Sequence, residues 1–438
     1  MNWILNTSFR VSLLRNSIIQ FIWWVIFFPG FFSGDSFGAV QMAKTGNLDN
    51  SFTASWALYV RTFSFHGHAI ALLTLINGLL LVYSVTRLGY SLFPNRPAAI
   101  STFLLTLTPV VSGMGITLWH DILMTAGIAL VTSFFINFQK SALNYRSNLY
   151  WELIPGAVLT SFKPNGLPTL FLFSALYVTF LAIKRVANFK EIAKFSIIAL
   201  LITIVITFLG SNLIIGMSPI NNYYAQEWMR NDISCYADST VGKGFVEREI
   251  PGIGSTDTWR STSACTFLNK AKVTGEEKIA AEKYVSSAWL KLLRTDPIFI
   301  IKTHLTRNAY LVPLPISGIP TEPFLHSSIE FEGRGIEWAF PSVAEKARII
   351  MRIWNAGRGL TGWAGLWAVV LIFLAVMRRQ KRLIPAIVMS LSMIGILFVV
   401  APIPDGRYAL FILIVGQLAL LGNFVEWAQT GSNRRPTD

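Results

Sequence analysis

Long apolar runs recur along the chain and alternate with short polar connections. An α-helix needs about 20 predominantly apolar residues to cross a bilayer. The pattern predicts ten membrane-spanning helices, of which the fifth and sixth are short and interrupted by prolines. An even number of spans places both termini on the same side of the membrane. The approximate ranges are 17–33, 68–89, 97–115, 121–138, 150–165, 167–183, 195–215, 359–377, 383–401 and 407–427.

One long polar segment, residues 216–345, interrupts the apolar pattern. Its stretch "GEEKIAAEKYVSSAWLKLLRTDP" (275–297) has the apolar spacing of a helix, followed by a proline that stops it. We therefore expect an all-α polytopic membrane protein with a small, external, mostly helical domain. The predicted division is an N-terminal transmembrane module (1–215), the external domain (216–345) and a C-terminal transmembrane module (346–438).

The composition agrees with a membrane protein. Of 438 residues, 53% are hydrophobic and only 14% are charged, whereas soluble proteins carry about 25% charged residues. No small-residue cleavage site follows the first apolar run. We therefore interpret that run as a permanent span and not as a signal peptide.

The charge distribution predicts the orientation. The net charge is +14, and the basic residues fall in every second connection, as expected for cytoplasmic loops. The sequence thus predicts a bacterial inner-membrane protein with both termini in the cytoplasm. A nucleic-acid partner is not expected, because the basic residues form no single groove. They are Arg10, Arg15, Arg87, Arg96, Lys140, Arg146, Lys184, Arg185, Lys190, Lys194, Arg378, Arg379, Lys381, Arg382, Arg434 and Arg435.

With this topology, reactive and charged side chains converge on the outer face, at the ends of five short outer connections. Each one alone has an ordinary explanation as a turn residue, a helix cap or a lipid-facing cation. Their agreement on one face favours a functional site. Trp23, Trp24 and Trp119 are more typical of an interfacial belt and core. The candidates are Asp35, His66, His68, His120, Asp121, Lys163, Asn165, Asp405, Arg407 and Tyr408.

The ordered motifs "PGFFSGDS", "FHGHA", "LWHD", "FKPNG" and "PDGRY" resemble those of the GT-C superfamily of glycosyltransferases. These multi-span enzymes take a sugar from a polyprenyl-phosphate carrier on the outer side of the membrane. Asp35 matches the acid of their first outer loop. In a subset of the family, Lys-Asp stands where this chain has His120-Asp121, and Arg/Lys-x-Asn-Gly matches Lys163–Gly166. The late Arg-Tyr matches Arg407-Tyr408.

The resemblance covers residues 25–170 and the last outer turn, and residues 216–345 resemble nothing known to us. It implies a GT-C-like site on the outer face of the membrane. The departure at His120 leaves open whether a second cation is needed there. Serotype-modifying O-antigen glucosyltransferases are similar in size and layout, which favours a lipid-linked polysaccharide as the acceptor. Lipid A and protein acceptors stay open, and the sequence does not identify the sugar.

The chemistry of sugar transfer suits the same residues. A base must take the proton of the acceptor hydroxyl, and we expect Asp35 to do so. Lys163 and Arg407 are suited to bind the donor phosphate as its negative charge grows. One displacement with one base implies inversion at the anomeric carbon. The histidines, Asn165, Asp405 and Tyr408 are assigned to substrate binding or assistance.

Three roles are open for Asp121: to orient Lys163, to hold sugar hydroxyls, or to join Asp35 around a divalent cation. The rival roles for the whole chain are a transporter or flippase for a lipid-linked or anionic substrate, and a non-catalytic assembly protein. For a transporter, the proline-broken fifth span with Glu152 is the relevant feature.

The only two cysteines, Cys235 and Cys265, lie in the predicted external domain. In an oxidising compartment they are expected to form a disulfide. The alternative is two unpaired small core residues.

Overall fold

A computed structural model of the chain describes residues 7–47, 52–140, 148–186, 188–213, 227–237, 239, 242, 244–250, 275–312, 336–401 and 406–432. Within these ranges the regular structure is helical, apart from one isolated β-bridge between Phe31 and Thr117. The predicted all-α class is therefore confirmed for this part of the chain.

The N-terminal part contributes ten α-helices among the residues that the structure describes, and a π-helical turn (Leu149–Leu153) precedes the eighth. The helices are α1 (Phe9–Ile26), α2 (Gly34–Thr45), α3 (Ala54–Phe63), α4 (Ile70–Leu92), α5 (Asn95–Thr106), α6 (Ser112–Gly115), α7 (His120–Lys140), α8 (Ile154–Thr160), α9 (Gly166–Ile183) and α10 (Phe189–Leu213).

The polar segment contains α11 (Glu227–Ala237), α12 (Phe245–Glu249), α13 (Gly275–Thr295) and α14 (Pro297–Arg307), followed by a 3₁₀ turn (Ala309–Leu311). The C-terminal part contains α15 (Pro341–Ala356), α16 (Arg358–Thr361), α17 (Ala364–Met377), α18 (Ile384–Val400) and α19 (Leu410–Ser432). Two further 3₁₀ turns, Lys381–Leu383 and Gly406–Ala409, lead into α18 and α19.

Five helical stretches are long and apolar enough to cross a membrane: Ile70–Leu92, His120–Lys140, Gly166–Ile183, Lys381–Val400 and Arg407–Gln429. A shorter apolar helix is Ala364–Met377. The chain is therefore a helical membrane protein. The count of ten spans stays a prediction, although a helix overlaps each predicted range.

Helix α7 is the centre of the bundle. Nearly all of its side chains are buried, and α4, α8, α18 and α19 pack against it. The contact with α8 is especially close, because a Cβ atom at Gly127 would collide with the backbone of Gly156 and Thr160. Because α7 begins with His120 and Asp121, this packing fixes two of the candidate site residues in the middle of the fold.

Polar contacts define one end of the bundle, which we call the basic end. There, Arg87 pairs with Glu152, Lys140 donates to the carbonyl oxygen of Ser91, and Arg382 pairs with Glu426 at 2.6 Å. Connections that were predicted to share one side of the membrane thus meet in space. The connections at the opposite end hold the candidate site and form what we call the site end.

The first outer connection was predicted as a loop after a span at 17–33, and both expectations are wrong. Helix α1 begins at Phe9 and ends at Ile26, since Pro29 has no N–H group to continue it. Two short helices, α2 and α3, then follow. Ser33 precedes α2, and its N–H group donates to the Ser36 hydroxyl at 3.0 Å. The stretch "SGMGIT" (112–117), which precedes α7, contains the short helix α6.

The four helices α11 to α14 have a small apolar core of their own, which includes Ile233, Val285 and Leu292. The predicted helix at 275–297 is confirmed as α13. It ends at Thr295, and Pro297 begins α14 with Asp296 as its N-cap, whose carboxylate accepts from the N–H of Phe299 at 2.9 Å.

A buried polar cluster connects these helices to the membrane-spanning bundle. The Asp232 carboxylate accepts from Arg307 and pairs with His304, both at 2.8 Å. The other ring nitrogen of His304 lies 2.7 Å from the carbonyl oxygen of Phe398 in α18. The division of the chain at 216 and 345 stays a prediction, and α15 runs across its second boundary.

Candidate active site

The first site residue, Asp35, is held in place by the short connection that precedes it. It occupies the first turn of α2. The β-bridge of Phe31 to Thr117 ties this connection to the residues before α7, and the Ser36 hydroxyl donates to the carbonyl oxygen of Leu118 at 2.9 Å. A Cβ atom on Gly30 would collide with the carbonyl oxygen of Ile116, so only glycine allows the close approach. The backbone around Asp35 is therefore fixed against the start of α7.

Arg407 lies across from Asp35, in the 3₁₀ turn that leads into α19. Its Nη1 is 2.8 Å from Oδ2 of Asp35. The guanidinium lies over the ring of Trp119, 4.6 Å from the centroid, and over that of Tyr408 at 5.2 Å. The indole N–H of Trp119 donates to the hydroxyl of Ser33 at 2.6 Å. The arginine side chain thus contacts two aromatic rings, while its charged end pairs with Asp35.

A second ion pair joins Asp121 to Lys163. Both side chains are buried, with exposed fractions of 0% and 5%. Burial of one such charge alone costs several kcal/mol, so each makes the other tolerable. The turn that carries Lys163 requires Gly166, because a Cβ atom there would collide with the carbonyl oxygen of Thr160. This pairing explains how an aspartate fits at the start of an apolar helix.

Tyr408 connects the two ion pairs. The ammonium group of Lys163 lies over its ring, 3.8 Å from the centroid, and Nη2 of Arg407 is 3.4 Å from its hydroxyl. The order in space is therefore Asp121, Lys163, Tyr408, Arg407 and Asp35. The negative groups stand at both ends of this series, and the two cations between them both contact the Tyr408 ring.

One carboxylate oxygen of Asp121 can still accept a hydrogen bond. Its Oδ2 atom is buried and has no hydrogen-bond partner in the ranges that the structure covers. Nε2 of His120 lies 3.7 Å from it. The His120 ring is in turn surrounded by Trp56 and Phe52, with ring centroids at 5.9 and 5.7 Å. A buried acceptor without a donor is costly, so a bound hydroxyl would satisfy it.

The structure brings together six of the candidates: Asp35, His120, Asp121, Lys163, Arg407 and Tyr408. Their grouping does not depend on any assignment of the two sides of the membrane.

Four other candidates are not among the contacts of this group. His66 and His68 are exposed in the turn after α3, where Gly67 approaches the side chain of Lys44. Asn165 precedes α9 and contributes its carbonyl oxygen, which accepts from the Thr169 hydroxyl at 2.7 Å. Asp405 lies outside the described residues.

Sequence reasoning missed the part that Trp119 plays. It was interpreted as belt or core, and it is indeed buried. However, it also packs on Arg407 and binds Ser33. Its position directly before His120-Asp121 was the available signal. Trp56 and Ser33 carried no signal in the sequence.

Of the two cysteines, only Cys235 lies within the described residues. Cys235 is disulfide-bonded and buried. Cys265 lies outside the described ranges, so the pairing of the two stays a prediction.

A metal ligand set of three or more His, Cys, Asp or Glu side chains does not occur among the residues that the structure covers. The two site carboxylates are each paired with a cation of the chain. Of the three roles open for Asp121, the orientation of Lys163 is the one for which a contact is present.

Comparison of the chain with protein-family models, with curated proteins and with solved structures gives no match.

The site is a row of fixed charges at one end of a membrane-embedded bundle. It offers a half-exposed carboxylate as a proton acceptor, two cations for an anionic group and a buried carboxylate oxygen for a hydroxyl. This set suits a reaction in which a hydroxyl attacks a carbon attached to a phosphate.

Proposed function

We propose that this chain is an inverting glycosyltransferase. It moves a sugar from a polyprenyl-phosphate carrier to a lipid-linked polysaccharide or another envelope acceptor, at the outer face of a bacterial inner membrane. The observation that carries the proposal is the row from Asp121 to Asp35, in which two cations stand between two carboxylates at the site end.

The transfer is a single displacement. The acceptor oxygen forms a bond to the anomeric carbon while its proton passes to the Asp35 carboxylate, and the bond from that carbon to the phosphate oxygen breaks. The electron pair of this bond leaves with the carrier, so a phosphodiester becomes a phosphomonoester with one more negative charge. The half-exposed position of Asp35 supports its role as the base, because an acceptor can approach it.

Arg407 and Lys163 stabilise the charge that develops on the carrier phosphate. Preorganised cations are effective in this role because they need no reorganisation during the reaction. Both are held by the Tyr408 ring. A guanidinium also offers two parallel N–H groups to phosphate oxygens, which a single ammonium does not.

The buried Oδ2 of Asp121 is suited to accept a hydrogen bond from a sugar hydroxyl. The aromatic rings around His120 would form a wall next to that hydroxyl. A divalent cation between Asp35 and Asp121 stays a second option, since carboxylate oxygens are the ligands that such ions prefer.

A transporter would need ionisable groups along a path through the membrane. Glu152, the relevant residue for that role, pairs with Arg87 at the basic end. The row of charges at the site end is far better suited to chemistry at one face, which favours the enzyme.

The test has two parts. Deletion of the gene should remove one sugar from a surface glycan, and mass spectrometry of that glycan identifies both the sugar and the acceptor. The purified chain in nanodiscs should then transfer this sugar from its polyprenyl phosphate, with the opposite anomeric configuration in the product by NMR. Movement of the carrier lipid between leaflets of vesicles without transfer would instead establish the flippase.

A further inference from the structure

Arg407 and Asp35 differ in how firmly they are held. The Arg407 side chain is 11% exposed and lies against the rings of Trp119 and Tyr408, whereas the Asp35 side chain is 47% exposed. The arginine is thus the fixed partner of the pair. The Asp35 carboxylate contacts the charged end of the arginine and is itself half open to solvent.

Asp35 has a favourable electrostatic environment besides Arg407. It lies in the first turn of α2, where the unpaired N–H groups of the helix favour a negative charge. Almost half of its side-chain surface is open to solvent. An ion pair of this kind contributes little to stability, so another anion can replace the carboxylate at small cost.

The second ion pair of the site is different. Asp121 and Lys163 are almost fully buried, and separating the two charges of a buried ion pair is costly. Only one of the two cations, Arg407, is therefore available for exchange with an incoming anion.

We propose that the Asp35 carboxylate occupies the position of the donor phosphate on Arg407 and is displaced when the donor binds. The inference rests on the proposed function and adds how its activity is regulated, namely by the binding of the donor. Before the donor arrives, Oδ2 of Asp35 is engaged with Arg407 and the base is held away from its task. The phosphate takes over the guanidinium and releases the carboxylate next to the sugar. The donor must therefore bind before the acceptor can be deprotonated.

The experiment measures the binding of geranylgeranyl monophosphate, a short polyprenyl phosphate, to the full-length protein in detergent. The variants are Asp35→Asn, Arg407→Gln and the double variant. Removal of the competing carboxylate should tighten binding about two- to fivefold, the range expected for a pair this exposed. In the Arg407→Gln background this gain should shrink towards one, because Asp35 acts through the arginine. Glu337→Gln, a change at an exposed acid near the same end, should leave the affinity unchanged.

The outcomes separate this exchange from simple charge repulsion. An equal gain in both backgrounds would mean that Asp35 only repels the phosphate, and the exchange would be wrong. No gain from Asp35→Asn in the wild-type background would also overturn it, while the proposed transfer could still stand. Failure of the wild-type protein to bind the phosphate lipid would refute the phosphate site and the proposed function together.

Two further ligands identify the source of the phosphate. Geranylgeraniol, which lacks the phosphate, should bind with the same affinity to the wild type and to Asp35→Asn. Inorganic phosphate should bind more weakly than the lipid, with the same dependence on Asp35. Equal binding of inorganic phosphate and the phosphate lipid would keep the exchange and remove the lipid carrier from the proposal.

Discussion

At the scale of single residues, the site is a balance of two positive and two negative charges. Asp121 would be unacceptable at the start of a buried helix without Lys163, and the Asp35 carboxylate balances the charge of Arg407 at 2.8 Å. Tyr408 lies between the two pairs and contacts both cations. Removal of any one of the four charges therefore unbalances the site, and the size of the effect depends on how deeply the remaining charge is buried.

The proposed base gives the first prediction. Asp35→Asn keeps the shape of the side chain but removes its capacity to accept a proton, so turnover should fall about 10²–10⁴-fold. The melting temperature should change little, because the residue is half exposed. Steady-state turnover with a matched donor and acceptor measures the effect.

Two controls accompany this variant. Arg407→Ala and Lys163→Ala should weaken donor binding as well as turnover, because a phosphate charge is present before and after transfer. Asp121 would be the base in place of Asp35 if Asp121→Asn abolished turnover without loss of donor binding while Asp35→Asn retained the wild-type rate.

The buried pair gives a prediction about stability. Asp121→Asn or Lys163→Met alone should destabilise the protein by about 3–5 kcal/mol, because each removes one partner of a buried ion pair and leaves the charge of the other. The double variant leaves no charge and should recover most of this loss. Thermal unfolding in detergent provides the measurement. Losses that simply add in the double variant would mean that the two residues do not form a pair.

The sequence could predict the chemical nature of these residues but not their contacts. Order along the chain and alternation of the spans placed Asp35, Asp121, Lys163 and Arg407 on one side. They do not determine which way each connection turns around the bundle axis. For this reason His66 and His68, which share that side in the prediction, are exposed beside Lys44 and are absent from the contacts of the site.

At the scale of the elements, the site depends on how closely α7 and α8 pack. Asp121 begins α7, and Lys163 lies in the turn that follows α8. The two helices approach so closely at Gly127 and Gly156 that neither position has room for a Cβ atom. The register of these helices therefore sets the position of the buried ion pair.

The close approach gives a third prediction. Gly127→Val should force the helices apart, lower the free energy of unfolding by about 1–3 kcal/mol and reduce turnover, because Asp121 and Lys163 lose their geometry. Gly38→Ala in α2 is the matched control: its Cβ atom meets only the Phe52 ring at 3.7 Å, and alanine favours a helix. Unfolding and transfer are measured on both. A tolerated valine at 127 would show that the packing of α7 on α8 is not as close as described.

Long apolar runs located α7 and α9 well, whereas they misplaced α1 and missed the short helices α2 and α3. The stretches 121–138 and 167–183 differ from α7 and α9 by few residues, because a long apolar run has only one stable state in lipid. Helices α2 and α3 were missed because they are short and mix polar with apolar residues. Their stability comes from packing against other helices, which the sequence alone does not show.

At the scale of the whole molecule, the alternation of charged connections was the most informative signal. Basic connections that are far apart in the chain meet at one end, where Arg382 pairs with Glu426 and its guanidinium lies 5.0 Å from the ring centroid of Phe93. The connections with candidate site residues meet at the other. Such alternation arises because each crossing of the membrane reverses the direction of the chain. Grouping by ends could therefore be predicted, whereas the side of the cell that each end faces could not be read from the fold.

The orientation is the last prediction. Because Lys and Arg are retained on the cytoplasmic side, the basic end should face the cytoplasm and the site end should face outward. Two exposed positions distinguish the ends: His68 in the turn after α3 and Arg379 in the turn after α17. In intact spheroplasts, a membrane-impermeant maleimide should label His68→Cys and should label Arg379→Cys only after permeabilisation. The unmodified protein, whose Cys235 is disulfide-bonded, gives the background. Labelling of residue 379 but not of residue 68 in intact cells would place the row of charges on the cytoplasmic side, where a carrier-linked sugar of the outer leaflet cannot reach it, and the proposed outer-face transfer would be wrong.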